Sequence, residues 1–90
     1  MARNPVKYFI ETHPETLPFL RFLTTYREEW TTVDLARDYP GYHEEHISKI
    51  ITKLRDANVI AKIRYVRVKP SGDTRPLWKL TGEARIHLDQ

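Results

Sequence analysis

Four side chains near the middle of the chain, Ser48, Lys49, Thr52 and Lys53, stand at positions i, i+1, i+4 and i+5. On a helix they share one face. Two hydroxyls can donate and accept hydrogen bonds, and two ammonium groups can each neutralise a negative charge. Further on, residues 59–80 hold Lys62, Arg64, Arg67, Lys69, Arg75 and Lys79 against Asp73 alone, a net of +5. The chemistry these groups offer is binding to a polyanion: phosphate neutralisation together with hydrogen bonds to base edges. Nothing comparable offers bond making. His13, His43, His46 and His87 are scattered, and glycine occurs only at Gly41, Gly72 and Gly82, so no glycine loop can cradle a phosphate. His43 and His46 are one helical turn apart, but two imidazoles in a chain without cysteine are a weak metal set and read as surface residues. The reading is therefore a binding protein, with no catalytic residue, no cofactor and no metal.

The charge is unevenly distributed. Residues 1–42 carry a net −1, residues 43–58 a net 0 and residues 59–90 a net +4, within a formal total of +3. A basic last third suggests nucleic acid as partner. Ninety residues allow one domain over 1–90, and a 40% hydrophobic content is enough for one thin core. The first eleven residues contain no apolar run of signal-peptide length, and no stretch approaches a membrane span. With no cysteine, the expectation is a soluble cytoplasmic protein without a membrane partner.

These groups need elements to position them. Asn4 before Pro5 reads as a cap and first position of a helix over 5–12, with Val6, Phe9 and Ile10 at helical spacing. Thr16 should cap a second helix over 17–29, whose apolar residues (Phe19, Leu20, Phe22, Leu23, Tyr26) exceed one surface stripe. That surplus predicts a homodimer built on the two N-terminal helices. Thr32 should cap a third helix over 33–39, followed by a turn at Pro40, Gly41 and Tyr42. Ile47, Ile50, Ile51 and Leu54 at i, i+3, i+4, i+7 predict a helix over 43–57 with one buried face. Asn58 stands where a left-handed C-cap is needed. A period near two predicts a strand over 59–69, with a slip in apolar phase near Tyr65 that suggests a bulge. Residues 70–75 read as a polar turn and 77–80 as a returning strand, with Trp78 and Leu80 inward. Thr81 should cap a last helix over 82–89.

The order helix, helix, tight turn, helix, strand, basic loop, strand makes residues 30–81 resemble a winged helix-turn-helix of the broad MarR/ArsR/PadR-like kind. "TTVDLARDY" resembles the scaffold helix, with Ala36 where helices approach. "EHISKIITKLRDANVI" resembles the recognition helix running into the first wing strand, and "PLWKLTGEARIHL" the returning strand and last helix. The resemblance implies an α+β, mostly α, fold: a three-helix core, an antiparallel β-hairpin wing, and short N- and C-terminal helices. Its parts are helices in 5–29, the helix-turn-helix in 30–58, the wing in 59–81 and a helix in 82–90. It also implies sequence-specific binding of double-stranded DNA by a small transcriptional regulator. The chain shows no separate effector domain, so no small-molecule effector is expected unless a cleft forms between subunits. Ser48, Lys49, Thr52 and Lys53 would meet the groove, and Arg64, Arg67, Lys69 and Arg75 the backbone. Asn58 replaces the usual glycine, and Glu44 and Glu45 stand where related proteins often present polar or basic groups. Those glutamates keep a second reading open, in which the fold is a protein–protein assembly module.

Overall fold

The computed structural model describes residues 4–69 and 72–88. The first helix, α1 (Pro5–Thr12), starts as the sequence predicts: Asn4 Oδ1 accepts from the backbone N–H of Val6 and Lys7. A single 3-10 turn, Pro14–Thr16, leads into α2 (Leu17–Thr25). Thr16 does not cap α2; its hydroxyl donates to the His13 carbonyl at 2.7 Å.

Helix α2 stops four residues short of the predicted end. Tyr26 turns extended, and its hydroxyl donates to the carboxylate of Asp38 and lies 3.4 Å from the Asp34 carbonyl. The chain freed by this turn carries Trp30 into an antiparallel bridge with Trp78, whose two bonds measure 2.9 and 2.7 Å. Helix α3 (Thr32–Asp38) then begins one residue earlier than predicted. Its cap is Thr31, because Asp34 lies three residues on and closes a reciprocal capping box with it. Replacing Thr31 by alanine removes one half of the box. The expected loss is about 1 kcal/mol, read as a lower urea midpoint at unchanged slope.

Helix α4 (Glu44–Asp56) buries Ile47, Ile51 and Leu54. Its C-terminus closes as a Schellman motif. Asn58 takes φ 61°, its N–H reaches the Arg55 carbonyl at 3.0 Å, and the Val59 N–H reaches Leu54 at 2.9 Å. Strands β1 (Ile60–Arg67) and β2 (Thr74–Leu80) form the antiparallel hairpin. The bulge falls at Ile63, between the pairs Lys62↔Trp78 and Arg64↔Leu77, two residues before the predicted slip. Strand β2 also starts three residues early, so Thr74 and Arg75 belong to the ladder and not to the turn. The rest of that predicted turn includes residues 70 and 71, which lie outside the described residues. Thr81 caps α5 (Gly82–Leu88) by accepting from Ala84 N–H, and its hydroxyl also donates to the Asn58 carbonyl at 2.9 Å. One threonine thereby ties the end of α4 to the base of the hairpin. The predicted last residue of this helix, 89, lies outside the described residues.

The architecture is α+β and mostly helical, with five α-helices and one two-stranded hairpin among the described residues. All of these elements contribute to one core. Leu20, Leu23, Trp30, Leu35, Ile47 and Leu54 are fully buried, and Trp78 and Leu80 close it from β2. The apolar surplus of the first two helices is taken up within the chain. Val6, Phe9, Phe19, Leu20 and Leu23 are buried, and Ile10, Phe22 and Tyr26 pack partly covered against them. The sequence argument for a second copy drew on these side chains, of which Ile10, Phe22 and Tyr26 keep part of their surface exposed.

Candidate nucleic-acid interface

The outward face of α4 and the hairpin meet along one cleft. It has a volume of about 350 Å³ and is lined by Thr32, Glu44, Ser48, Thr52 and Arg75 over a floor that includes Ile51 and Trp78. Ser48 and Thr52 are exposed, one turn apart; the Thr52 hydroxyl donates to the Ser48 carbonyl at 3.0 Å and keeps its lone pairs free to accept. Arg75 projects from β2 across to the start of α4. Its Nε lies 3.3 Å from Glu44 Oε1, its Nη2 lies 3.7 Å from Asp73, and its side chain is 34% exposed. The bridge spans 31 positions of sequence and ties the loop end of the hairpin to the start of the helix. Glu44 is thus more than a helix-dipole partner: it is the counter-ion of a residue the sequence marks for phosphate.

The four predicted helix residues are split between two flanks. Ser48 and Thr52 lean toward the hairpin. Lys53 leans the other way, over a cleft of about 250 Å³ lined by Phe9, His13, Tyr39, Tyr42 and Ile50. Lys49 is exposed between them. A run of rings continues on this side: Tyr39 stacks on Tyr42 at 5.3 Å, and the His43 and His46 rings are 6.1 Å apart. Among the described residues no group of three or more His, Cys, Asp or Glu could hold a metal ion.

On the hairpin, Arg64 and Arg67 are exposed on β1, and Lys69 is exposed just beyond it. Arg64 sits 4.0 Å from Glu29. Lys62 covers the exposed ring of Tyr65 at 4.8 Å, a cation–π contact on the exposed side of β1. Neither was among the predicted contacts, although an aromatic alternating with cations on a strand was readable in the sequence.

Arg27 and Arg37 were missed as well. Both meet Asp34 Oδ1, at 3.7 and 3.3 Å, and Arg37 also clasps Asp38 with two bonds of 2.9 Å. The Arg37 guanidinium, and after it the Tyr26 hydroxyl, hold the Asp38 carboxyl well below the usual carboxylate range. Burial is the main reason the Tyr26 hydroxyl titrates above its ordinary value.

No helix among the described residues is long and apolar enough to cross a membrane. Compared with known proteins, the chain matches no protein-family model and no curated sequence.

Proposed function

We propose that this chain is a winged helix-turn-helix domain that binds double-stranded DNA in the cytoplasm, as a small sequence-specific transcriptional regulator rather than an enzyme. Helix α4 is the recognition helix and the β1–β2 hairpin the wing. The element order supports this reading. So does the Trp30–Trp78 bridge, which adds a short third strand segment between α2 and α3 and leaves α2, α3 and α4 as the three-helix core. The observation that carries it is the shared cleft. Ser48 and Thr52 from the helix and Arg75 from the hairpin line one surface, so a groove edge and its backbone can be met together.

Anisotropy titration of a labelled duplex of about 20 base pairs tests it. With Lys53, Arg64, Arg67, Lys69 and Arg75 as phosphate contacts, the log–log salt slope should be about −4 to −5. Affinity should then fall by about 10²–10³ between about 50 and about 200 mM salt. Absence of binding at tens of micromolar protein in the lower salt overturns the reading.

The assembly-module reading has one observation in its favour. Glu44 already occupies Arg75, and Glu45 is exposed beside it, so the leading end of α4 is the least basic part of the surface. Loss of a protein partner by α4 and hairpin variants whose duplex binding is unchanged would favour it.

A further inference from the structure

We propose that a second cleft, between the α2–α3 loop, α3 and the outer end of β1, binds a phosphate group. Its volume is about 340 Å³, and Arg27, Arg37, Arg67 and Lys69 all line it. These four cations come from three separate segments of the chain, which a mere run of basic residues would not do. Two carboxylates, Asp34 and Glu29, also line the cleft, and Asp38 outside the lining takes up Arg37 with two 2.9 Å bonds, so the charge open to a ligand rests on Arg27, Arg67 and Lys69.

Asp34 is committed. Its Oδ2 accepts the Thr31 N–H at 3.0 Å, and its Oδ1 gathers Arg27 and Arg37. The carboxylate acts here as a brace that draws two guanidiniums to one side of the cleft. A guanidinium has five N–H donors, and among the described residues Arg27 has one ion pair, long at 3.7 Å, with a side chain 58% exposed. Most of its fork is therefore open to a second oxyanion, and guanidinium–phosphate geometry is bidentate. From the opposite wall come Arg67 and Lys69, which have no carboxylate partner among the described residues. Val66 and Val68, both half-buried, line the cleft beside them.

The phosphate can belong to a duplex backbone, in which case the inference rests on the DNA reading, or to a free phosphorylated molecule. In either case Arg27 joins the binding surface through a loop that the wing and recognition helix do not include.

Titration of the ¹⁵N-labelled chain, followed at the arginine Nε–H signals, separates the cases. Inorganic phosphate should give saturable shifts at Arg27 and Arg67. Arg27→Gln should weaken phosphate binding by about tenfold. Glu29→Gln should tighten it by about twofold or more, a gain that a merely damaged fold does not produce. If Arg27→Gln also lowers the duplex salt slope by about one unit, the backbone is the source. If the slope is unchanged while inorganic phosphate still saturates, the source is a free phosphorylated molecule. No saturable shift at tens of millimolar phosphate, with duplex binding unaltered in Arg27→Gln, overturns the cleft and leaves the DNA reading standing. Saturable phosphate with no duplex binding overturns the DNA reading and leaves the cleft.

Discussion

Replacing Trp30 by alanine is expected to cost about 3–5 kcal/mol, against a total stability of about 5–15 kcal/mol for a domain. Trp30 is fully buried, and it is the largest of the fully buried side chains. Its backbone exchanges both hydrogen bonds with Trp78, and alanine keeps those bonds, so the loss isolates the side chain's packing. The cavity would open at the meeting point of the α2–α3 loop and β2, where the hairpin is held to the helices. Leu54→Ala, in the buried face of α4, should cost about 2–5 kcal/mol, and the two losses should not add if the cavities share a wall. Urea unfolding followed by far-UV circular dichroism measures both. A loss below about 1 kcal/mol for Trp30→Ala would mean that the bridge is peripheral and that the hairpin is held by α4 alone.

The parts of this molecule that were legible in the sequence are those written in local patterns. The stripe of Ile47, Ile51 and Leu54 predicts α4 and its inner face, because helical period and burial coincide over about two turns. Asn58 is readable as a left-handed cap, and Asn4 and Thr81 as N-caps, because each acts on its own near neighbours. What was not legible depends on partners distant in sequence. A one-residue bridge such as Trp30 has no period to detect. Helix α2 ends where Tyr26 finds Asp38, a contact that propensity does not encode. The choice between Thr31 and Thr32 as cap is different in kind: Asp34, three residues after Thr31, decides it by a local signal that the sequence does carry. In the candidate site, the exposed face of α4 was readable, but its division into a hairpin flank and an aromatic flank was not. The Arg75–Glu44 pair was hidden for the same reason: charge counting registers both groups as free, and the fold sets them against each other.

That pair sharpens the division of labour between wing and helix. Neutralising Arg64, Arg67 and Lys69 together, each to glutamine, should lower the salt slope by about three units. At about 100 mM salt it should weaken binding to every duplex by about 10²–10³. These side chains are exposed on a hairpin, so the fold should be little affected. Lys49→Ala, on the helix, should instead cost about 1–3 kcal/mol on the preferred sequence and relax choice at one base position. Glu44→Gln and Glu45→Gln should both raise non-specific affinity by removing a negative charge from the groove side of α4. Only Glu44→Gln also releases Arg75, so its gain should exceed that of Glu45→Gln, and its salt slope should steepen by up to about one unit. In an Arg75→Ala background that excess should vanish, which separates counter-ion release from simple repulsion by a double-mutant cycle. Equal gains from the two glutamates would mean that Arg75 reaches phosphate without leaving Glu44. If neither hairpin nor helix variants alter duplex binding while a protein partner is lost, α4 and the hairpin form an assembly surface instead.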